Sequence, residues 1–444
     1  MPVDTQNSQR ISPFDRWALM ALLVGTIVVR IAAIMLDPAA FRDDVDDYRR
    51  LAENLVRLGV YGYGEVPTAY RSPLYPLVLA GLAELGVLTT AGLAVLHVVL
   101  GTATAWLSVI VGRWWGLGSW RFLAAALVAC DPILVRQSTL VMSETLAALL
   151  VAAALAALTA MINCVATRSA TPERDTLLWA LGAGAALALG VLCRPVFAVW
   201  LVATPLCLVW ILPREARRMR VVAAVFIAAI VVLAPWGLRN QVRFGRPILT
   251  TTHGGFTLLL GNNAEFYAHL RATPRAPWDA AEFNRAVLDA RRAEPHENEP
   301  AADRREYAKA WQTIREKPSM FARAVAYRET RLWGVLPLAL SGQSPRERVL
   351  RYATAVWYVL EFVLALVGLW SLGRRSVTTP WLFGLLLAAS FSAVHALYWT
   401  DMRMRAPLEP AIACAAAAGG AWIWGKFTRR NPLYNKQLRP AVEG

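Results

Sequence analysis

The densest acidic cluster of the chain is the segment RDDVDDYRRLAEN, residues 42–54, which carries Asp43, Asp44, Asp46 and Asp47. A carboxylate can accept the proton of a hydroxyl group and so act as a general base. Acidic residues in the first turn of a helix also complement its dipole, and that ordinary role would explain one or two of the four. The cluster follows an apolar stretch of about twenty residues, the length of a membrane crossing. It therefore lies where a membrane edge is expected.

Further chemically active side chains stand beside or inside other apolar stretches. Glu144 follows Ser143 at the start of one stretch, and Arg30 lies inside the first, where a charge costs roughly 2.5–3.5 kcal/mol. The polar segments between the stretches add guanidinium, hydroxyl, amide, carboxylate and imidazole groups. Their members are Tyr70, Arg71, Arg239, Asn240, His253, Asn262, Asn263, Asp401, Arg403 and Arg405.

Carboxylates and arginines at one membrane surface suit a particular chemistry. A carboxylate can activate an acceptor hydroxyl, and an arginine can hold a phosphate leaving group through two parallel hydrogen bonds. Transfer of a sugar from a lipid-linked phosphate donor needs both groups, together with apolar grooves for the lipid chain. A channel lining would use similar residues, so the pattern alone leaves that alternative open.

The composition of the chain is that of a membrane protein. Of its 444 residues, 57% are hydrophobic and 17% are charged, and the mean hydropathy is +0.40. An ordinary soluble domain has about a quarter of its residues charged. The formal net charge of +15 resides in short arginine runs between apolar stretches, which favours topology signals and anionic lipid over nucleic acid. The five cysteines lie in or beside apolar stretches without CxxC spacing, so we expect neither a disulfide framework nor a cysteine metal site.

The hydropathy pattern predicts an all-α polytopic membrane protein with about ten crossings. The segment 73–88 is apolar, but it is short and contains two prolines, so we expect it to lie flat on the outer leaflet. The helical spacing of apolar residues over 45–58 predicts a second interfacial helix, with Asp43 and Asp44 at its N-terminus. The predicted crossings are 17–36, 90–112, 121–135, 143–162, 177–194, 196–212, 221–236, 353–372, 381–399 and 407–424.

The arginine distribution predicts the orientation of this bundle. With ten crossings the arginine-rich loops all fall on one side, which the positive-inside rule assigns to the cytoplasm together with both termini. In the long outer segment we expect one or two surface helices without a core of their own. The predicted divisions are an N-terminal catalytic membrane module over 1–236 that includes the outer loop 37–89, an outer loop with surface helices over 237–352, and C-terminal crossings with a short cytoplasmic tail over 353–444.

Five stretches of the chain form a pattern that occurs in a known order: DDVDDYRRLAENLVRLGVYGY, YRSPLYPLVLAGL, LVMSETLAALL, GLRNQVRFGRPILTTTHGGFTLLLGNNAEFY and RMRAPLEPAI. Through them the chain resembles the GT-C glycosyltransferases, specifically the family-39-like bacterial proteins akin to protein O-mannosyltransferases and the aminoarabinose transferase of lipid A. The resemblance implies the GT-C fold, a first outer loop with two membrane-apposed helices, an acid in that loop and a second acid at the start of a later crossing.

Matched residue by residue, the resemblance also implies roles. The first acid precedes the tyrosine of the Y..LA.NL pattern by four positions, which gives Asp44, with Asp43 as the adjacent alternative. The second acid matches Glu144. The arginine of RMRAPLEP matches Arg405, with Arg403 as the second choice.

We therefore predict a glycosyltransferase that acts at the outer face of the bacterial cytoplasmic membrane. Its partners would be a polyprenyl-phosphate sugar donor, a lipid, glycan or protein acceptor and membrane lipids, without nucleic acid. We predict no cofactor, and a divalent metal is the open alternative. A transporter or flippase of lipid-linked glycans and a non-catalytic membrane subunit are the alternatives. The expected catalytic residues are Asp44, Asp43 and Glu144, and the expected substrate-binding residues are Arg405, Arg403, Arg71, Tyr70, Arg239, Asn240, His253, Asn262, Asn263 and Arg30, with Arg30, Arg71, Arg239 or Arg405 for the donor phosphate.

Overall fold

The protein is helical almost throughout the residues that its computed structural model describes, which are 12–166, 173–213, 216–273, 276–294, 297–339, 342, 344–378 and 380–429. A two-stranded antiparallel ribbon, β1 (Gly62–Tyr63) and β2 (Val66–Pro67), follows the second helix. The α-helices are α1 (Pro13–Leu36), α2 (Tyr48–Leu58), α3 (Leu74–Glu84), α4 (Thr90–Trp114), α5 (Arg121–Cys130), α6 (Pro132–Gln137), α7 (Glu144–Ala166), α8 (Glu173–Cys193), α9 (Phe197–Ile211), α10 (Ala216–Phe244), α11 (Gly254–Gly261), α12 (Ala264–Ala272), α13 (Ala281–Arg292), α14 (Glu299–Glu316), α15 (Pro318–Leu332), α16 (Pro345–Leu372), α17 (Trp381–His395) and α18 (Glu409–Arg429). Short 3₁₀ helices span Pro38–Arg42, Gly118–Trp120, Gly373–Val377 and Met402–Leu408.

Six of these helices, α1, α4, α7, α8, α10 and α16, are long enough and apolar enough to cross a membrane. The other predicted crossings are α5 with α6, α9, α17 and α18, which pack into the same bundle. The most enclosed of these six helices is α7, in which 83% of the apolar 18-residue stretch is buried. It packs against α4 and α8. The chain is therefore a multi-pass, all-α membrane protein, as the sequence predicted.

Small residues let the bundle helices approach closely. The pair α16 and α18 shows this best, because a Cβ atom on Gly368 would lie 1.9 Å from the carbonyl oxygen of Ala415. Likewise, a Cβ on Gly419 would lie 2.0 Å from the carbonyl oxygen of Leu364. Close backbone contact of this kind stabilises helix pairs in lipid, where the hydrophobic effect no longer drives association.

Segments that the sequence placed on one side of the membrane contact one another at one end of the bundle. Asp37 pairs with Arg136 at 2.7 Å, and Glu299 accepts a hydrogen bond from the Thr68 hydroxyl at 2.6 Å. At the other end, Asp15 pairs with Arg121 at 2.8 Å. These three contacts agree with the predicted grouping of segments, and residues 1–11 and 430–444, which contain both termini, lie outside the described residues.

The segment 73–88 contains a helix that is too short to cross a bilayer. Its helix α3 has 11 residues, which gives a length of about 16 Å, whereas a bilayer core is about 30 Å thick. It packs mainly against α2, which buries Tyr48, Leu51 and Ala52. These two short helices of the first outer segment position the acidic cluster.

Helix α2 begins later than the predicted residue 45. Asp47 has φ 59°, a left-handed conformation that ends the preceding turn, and Val45 is 77% exposed instead of lying on an apolar helix face. Two boundaries further along the chain also moved. Helix α10 continues past residue 236 to Phe244, and α16 begins at Pro345, where Ser344 and Glu347 form a capping box.

The long outer segment is more structured than the sequence predicted. Its described residues form five helices, α11 to α15, where one or two were expected. These helices also contribute to two small apolar clusters, which include residues of the link between α17 and α18. One cluster joins Leu258, Leu260 and Phe283, and the other joins Phe266 and Met320. Each cluster unites residues far apart in sequence, which a reading of local periodicity does not detect.

Candidate active site

Charged side chains from four segments meet at the end of the bundle that carries the first outer segment. Glu144 pairs with Arg194 at 2.8 Å, and Asp46 pairs with Arg71 at 2.9 Å. The buried phenol of Tyr48 interacts electrostatically with all four of these groups, so they share one neighbourhood. We call the following set the acid–arginine site: Asp44, Asp46, Arg71, Glu144, Arg194 and Arg403.

Asp44 has one carboxylate oxygen that accepts hydrogen bonds and one that has no partner. Its Oδ2 accepts hydrogen bonds from the backbone N–H groups of Arg49 at 2.9 Å and Arg50 at 3.1 Å, which caps α2. Its Oδ1 is shielded from solvent and has no hydrogen-bond partner among the described residues. Burial raises the pKa of Asp44, although the N–H groups of Arg50, Arg49 and Tyr48 oppose the shift. A fixed carboxylate with a raised pKa and an open oxygen is suited to accept a proton.

Glu144 and Arg194 form a buried ion pair at the same end of the bundle, and Tyr75 interacts electrostatically with both Glu144 and Asp44. The paired side chains are 2% and 15% exposed. Helix α8 ends at Cys193, and because Pro195 prevents it from continuing, Arg194 lies in the break before α9. Glu144 is the first residue of α7, where a carboxylate also complements the helix dipole. The pair therefore fixes a guanidinium at the end of the bundle.

Arg403 supplies another guanidinium from the segment between α17 and α18. It pairs with Asp401 at 3.3 Å and interacts electrostatically with Glu144 and Arg194. Burial alone would lower the pKa of Arg403, but the carboxylates of Asp401 and Glu144 outweigh burial and raise it. Arg403 thus stays charged, and the site contains several fixed cations that could bind a phosphate.

A hydrogen-bonded chain supports the site from inside the bundle. The Tyr75 hydroxyl lies 2.8 Å from Nε2 of His97, and the Thr145 hydroxyl lies 2.8 Å from Nδ1 of the same ring. Tyr75 interacts electrostatically with both Asp44 and Glu144. The chain connects α3, α4 and the first turn of α7, so it holds the two acids in a fixed relation.

The structure separates the predicted residues into groups. Asp43 is exposed and lies outside the site, whereas Asp44, Glu144, Arg71 and Arg403 lie in it. Others have backbone partners that explain them structurally. Arg239 donates hydrogen bonds to the carbonyls of Tyr61 and Thr68, and Asn240 donates to the carbonyl of Ile248. Asn262 donates to the carbonyls of Leu258 and Leu397. The side chain of Asn263 caps α12.

Tyr70 and His253 lie beside Arg71 at the edge of the site. Their rings are 4.3 Å apart, and Arg291 lies 5.2 Å from the Tyr70 ring. Burial, followed by the charges of Arg71 and Arg291, holds the pKa of His253 well below its usual range. The imidazole is therefore neutral, and its Nδ1 is buried without a hydrogen-bond partner among the described residues.

Arg30 and Arg405 lie apart from the acid–arginine site. Arg30 is 1% exposed, donates to the carbonyl of Ala129 at 2.9 Å and fills the space beside Gly101. Arg405 is 2% exposed, stacks over Tyr358 and donates to two backbone carbonyls between α15 and α16. The predicted phosphate ligand Arg405 is thus turned away from Asp44 and Glu144, because backbone carbonyls hold its guanidinium elsewhere.

Sequence reasoning gave no site role to Arg194, Asp46, Tyr48, Tyr75 or His97. Arg194 could have been noticed, because a charge beside a proline at a break between two apolar stretches has a cost that needs a partner. His97 lies inside an apolar stretch and has no local signal. Its partners come from helices that the sequence does not show to be adjacent.

Comparisons with known protein structures identify the fold of the chain. No protein-family model and no curated protein sequence matches the chain. The Archaeoglobus fulgidus oligosaccharyltransferase in its apo form superposes with a TM-score of 0.55 at 15% identity, over 97% of this chain and 54% of its own. The same archaeal enzyme, AglB, in complex with an inhibitory peptide and a dolichol-phosphate gives a TM-score of 0.53 at 13% identity, over 98% and 53%. ArnT from Cupriavidus metallidurans gives 0.43 at 15% identity, over 95% and 81%.

The chain thus spans about half the length of the oligosaccharyltransferases that it matches. The match covers nearly all of this chain, including the first outer segment and the bundle. The protein is therefore a polytopic membrane protein with the GT-C glycosyltransferase fold.

Proposed function

We propose that the protein transfers a sugar from a polyprenyl-phosphate donor to an acceptor hydroxyl, with Asp44 as general base. The observation that carries the proposal is the Asp44 carboxylate, which is fixed through Oδ2 while its Oδ1 has no hydrogen-bond partner among the described residues. It lies in one electrostatic neighbourhood with the Glu144–Arg194 pair. The dolichol-phosphate in the archaeal oligosaccharyltransferase complex supports a donor of this class.

Each group has a defined part in the proposed reaction. The acceptor oxygen forms a bond to the anomeric carbon while the bond from that carbon to the phosphate oxygen breaks. Asp44 takes the proton of the acceptor hydroxyl, and the phosphate leaves with the electron pair. Arg194 and Arg403 stabilise the charge that develops on that phosphate. We assign this phosphate role to them, since Arg405 is held by backbone carbonyls elsewhere.

Glu144 is a positioning residue in this proposal. Its ion pair with Arg194 holds the guanidinium in a buried position and keeps it from turning toward solvent. Tyr75 and His97 fix α7 against α3, so the distance between base and phosphate ligand is set by packing. Preorganised charges of this kind need no rearrangement when the transition state forms.

An apolar cavity of about 300 Å³ between α16, α17 and α18 suits the polyprenyl chain. Its lining includes Trp333 and Leu408 toward the site and Trp115 and Trp381 further along the helices. Leu408 closes the same short 3₁₀ helix that carries Arg403. A lipid whose tail occupies this cavity would have its phosphate near that arginine, at the membrane surface.

The location follows from the same proposal. The end of the bundle with the acid–arginine site would face outward from a bacterial cytoplasmic membrane, and both termini would be cytoplasmic. The arginine-rich loops at the opposite end support this orientation. The acceptor would be a lipid, glycan or protein that is exposed on the outer side.

The test compares Asp44→Asn with its neighbour Asp43→Asn in purified protein that is supplied with labelled polyprenyl-phosphate sugars. Asparagine keeps an oxygen that can accept the α2 cap hydrogen bonds but removes the basic group. Because general-base catalysis contributes ~10²–10⁴-fold, we expect a loss of that size for Asp44→Asn and near-normal transfer for the exposed Asp43→Asn. Wild-type-like transfer by Asp44→Asn would refute the role. Movement of intact donor between leaflets without transfer would identify a flippase.

A further inference from the structure

Three carboxylates meet inside the bundle, away from the acid–arginine site. Asp131 comes from the break between α5 and α6, Glu361 from the middle of α16, and Glu409 from the start of α18. They are 1%, 2% and 3% exposed, and one carboxylate oxygen from each lies within 4.8 Å of the others. We call these residues the buried carboxylate triad.

The triad is only partly satisfied by its surroundings. Asp131 receives hydrogen bonds from the Tyr358 hydroxyl at 2.6 Å and the backbone N–H of Leu134 at 2.6 Å, and Glu361 Oε2 receives one from the Trp357 indole at 3.1 Å. Oε1 of Glu361 and Oε1 of Glu409 are buried and find no donor in the described part of the chain.

Neither nearby arginine neutralises the triad directly. Arg30 and Arg405 interact with Asp131 electrostatically, but their hydrogen bonds go to backbone carbonyls. Within the described ranges, no ion pair shorter than 4.0 Å reaches any of the three carboxylates. Buried charges in proteins are paired or coordinate metals. The triad is therefore a buried acidic group without a directly paired cationic side chain, in which the carboxyl groups of Glu361 and Glu409 also hydrogen-bond to each other.

We propose that the buried carboxylate triad binds one divalent metal cation of the Mg²⁺, Mn²⁺ and Ca²⁺ class. Carboxylate oxygens are hard ligands that these ions prefer, whereas zinc and copper favour nitrogen and sulfur. Metal–oxygen bonds of about 2.3–2.6 Å bring ligand oxygens to the separations found in the triad. A dication also removes the mutual repulsion of three carboxylates and leaves one formal negative charge facing Arg405.

The proposed cation would join three parts of the fold. Its ligands lie at the α5–α6 break, on α16 and at the first residue of α18, directly after the 3₁₀ helix that carries Arg403. It would therefore fix the start of α18 against the bundle. The inference departs from the sequence-based expectation of no metal and does not depend on the proposed transfer reaction.

Manganese binding tests the proposal without any activity measurement. The purified full chain is stripped with a chelator and titrated with Mn²⁺ under electron paramagnetic resonance, and elemental analysis is run in parallel. We expect about one Mn²⁺ per chain, displaced by Ca²⁺ or Mg²⁺, and at least a tenfold loss of affinity in the double variant Glu361→Gln/Glu409→Gln. The matched controls Asp44→Asn and Glu144→Gln should bind as wild type does.

Each other outcome overturns the proposal. Absence of Mn²⁺ uptake by the stripped wild type would mean that a proton shared between Glu361 and Glu409 neutralises the triad. Unchanged uptake by the double variant, or loss of uptake in Asp44→Asn or Glu144→Gln, would place the metal elsewhere. If the double variant does not fold, thermal unfolding of the wild type decides. The unfolding temperature must fall on chelation and recover with Mn²⁺. An unfolding temperature that changes with neither treatment refutes the site.

Discussion

Breaking the buried pair of Glu144 and Arg194 should cost both stability and activity, and the structure sets the size of the effect. The two charged atoms are 2.8 Å apart, and their side chains are only 2% and 15% exposed. At an effective dielectric constant of about 20, charges at this separation attract by about 6 kcal/mol. Desolvation offsets much of this, and removal of one partner from a buried pair typically costs ~3–5 kcal/mol. We therefore expect Glu144→Gln to lower the free energy of unfolding by about 3 kcal/mol.

A double-mutant cycle separates the pair from its surroundings. Arg194→Gln alone should destabilise by a similar amount, because it leaves the Glu144 carboxylate buried without its partner. The variant that carries both changes should be more stable than the sum of the single losses predicts, with a coupling energy of about 2 kcal/mol or more. Sugar transfer should not recover in the double variant, since the phosphate ligand is gone.

The assay is reversible unfolding in mixed micelles, with transfer of a labelled donor measured on the same preparations. Glu306→Gln is a matched control, because Glu306 forms a buried pair with Arg291 in the outer helices. It should lose stability but keep the chemical step. The reasoning fails if Glu144→Gln unfolds like wild type and the coupling energy is near zero, for then Arg194 is not held by this carboxylate.

Three further predictions use the same contacts. Arg403→Lys should raise the apparent KM for the lipid donor severalfold, whereas Arg405→Lys should leave this KM nearly unchanged. Donor titrations with both variants test this, and a larger effect of Arg405→Lys would return the phosphate role to Arg405. Because burial raises the pKa of Asp44, the protonated form favours the folded state, so its contribution to stability is full below the ordinary aspartate pKa and disappears as pH rises through the raised value. Transfer requires the ionised form, so the rate should decline on acidification already above the ordinary aspartate pKa, a limb that a pH–rate profile of wild type must show. Gly368→Ala should lower the free energy of unfolding by ~1–3 kcal/mol, because its Cβ would lie 1.9 Å from a carbonyl oxygen of α18. Gly425 has open space around it, so Gly425→Ala should leave the free energy of unfolding unchanged. Equal free energies of unfolding for the two variants would contradict the packing argument.

The features predicted well from the sequence are those that local chemistry determines. Apolar length identified the long crossings, and prolines marked the breaks at Asp131 and Arg194, because both signals act within a few residues. The short α3 was predicted not to cross for the same reason. Helix ends were less predictable. The crossing was predicted to end at residue 236, but helix α10 continues to Phe244, and Leu249 of the outer segment lies beside Gly237.

The features that the sequence did not reveal depend on long-range contacts. His97 joins Tyr75 and Thr145 across 22 and 48 positions, and Glu144 meets Arg194 across fifty. No periodicity or composition records such pairs. Asp44 could be predicted only in part. The sequence indicated its position before α2. The hydrogen bonds of one carboxylate oxygen to α2, and the absence of a partner for the other, depend on the turn before the helix.

The two arginines of RMR show why a linear pattern could not choose the phosphate ligand. Arg403 and Arg405 are two positions apart in a 3₁₀ helix, where each residue turns the chain by about 120°. Their side chains therefore leave the helix in different directions, Arg403 toward Glu144 and Arg405 toward Tyr358. The same helix runs directly into Glu409 of the triad. The two arginines therefore serve different parts of the fold, Arg403 the acid–arginine site and Arg405 the interior of the bundle beside the triad.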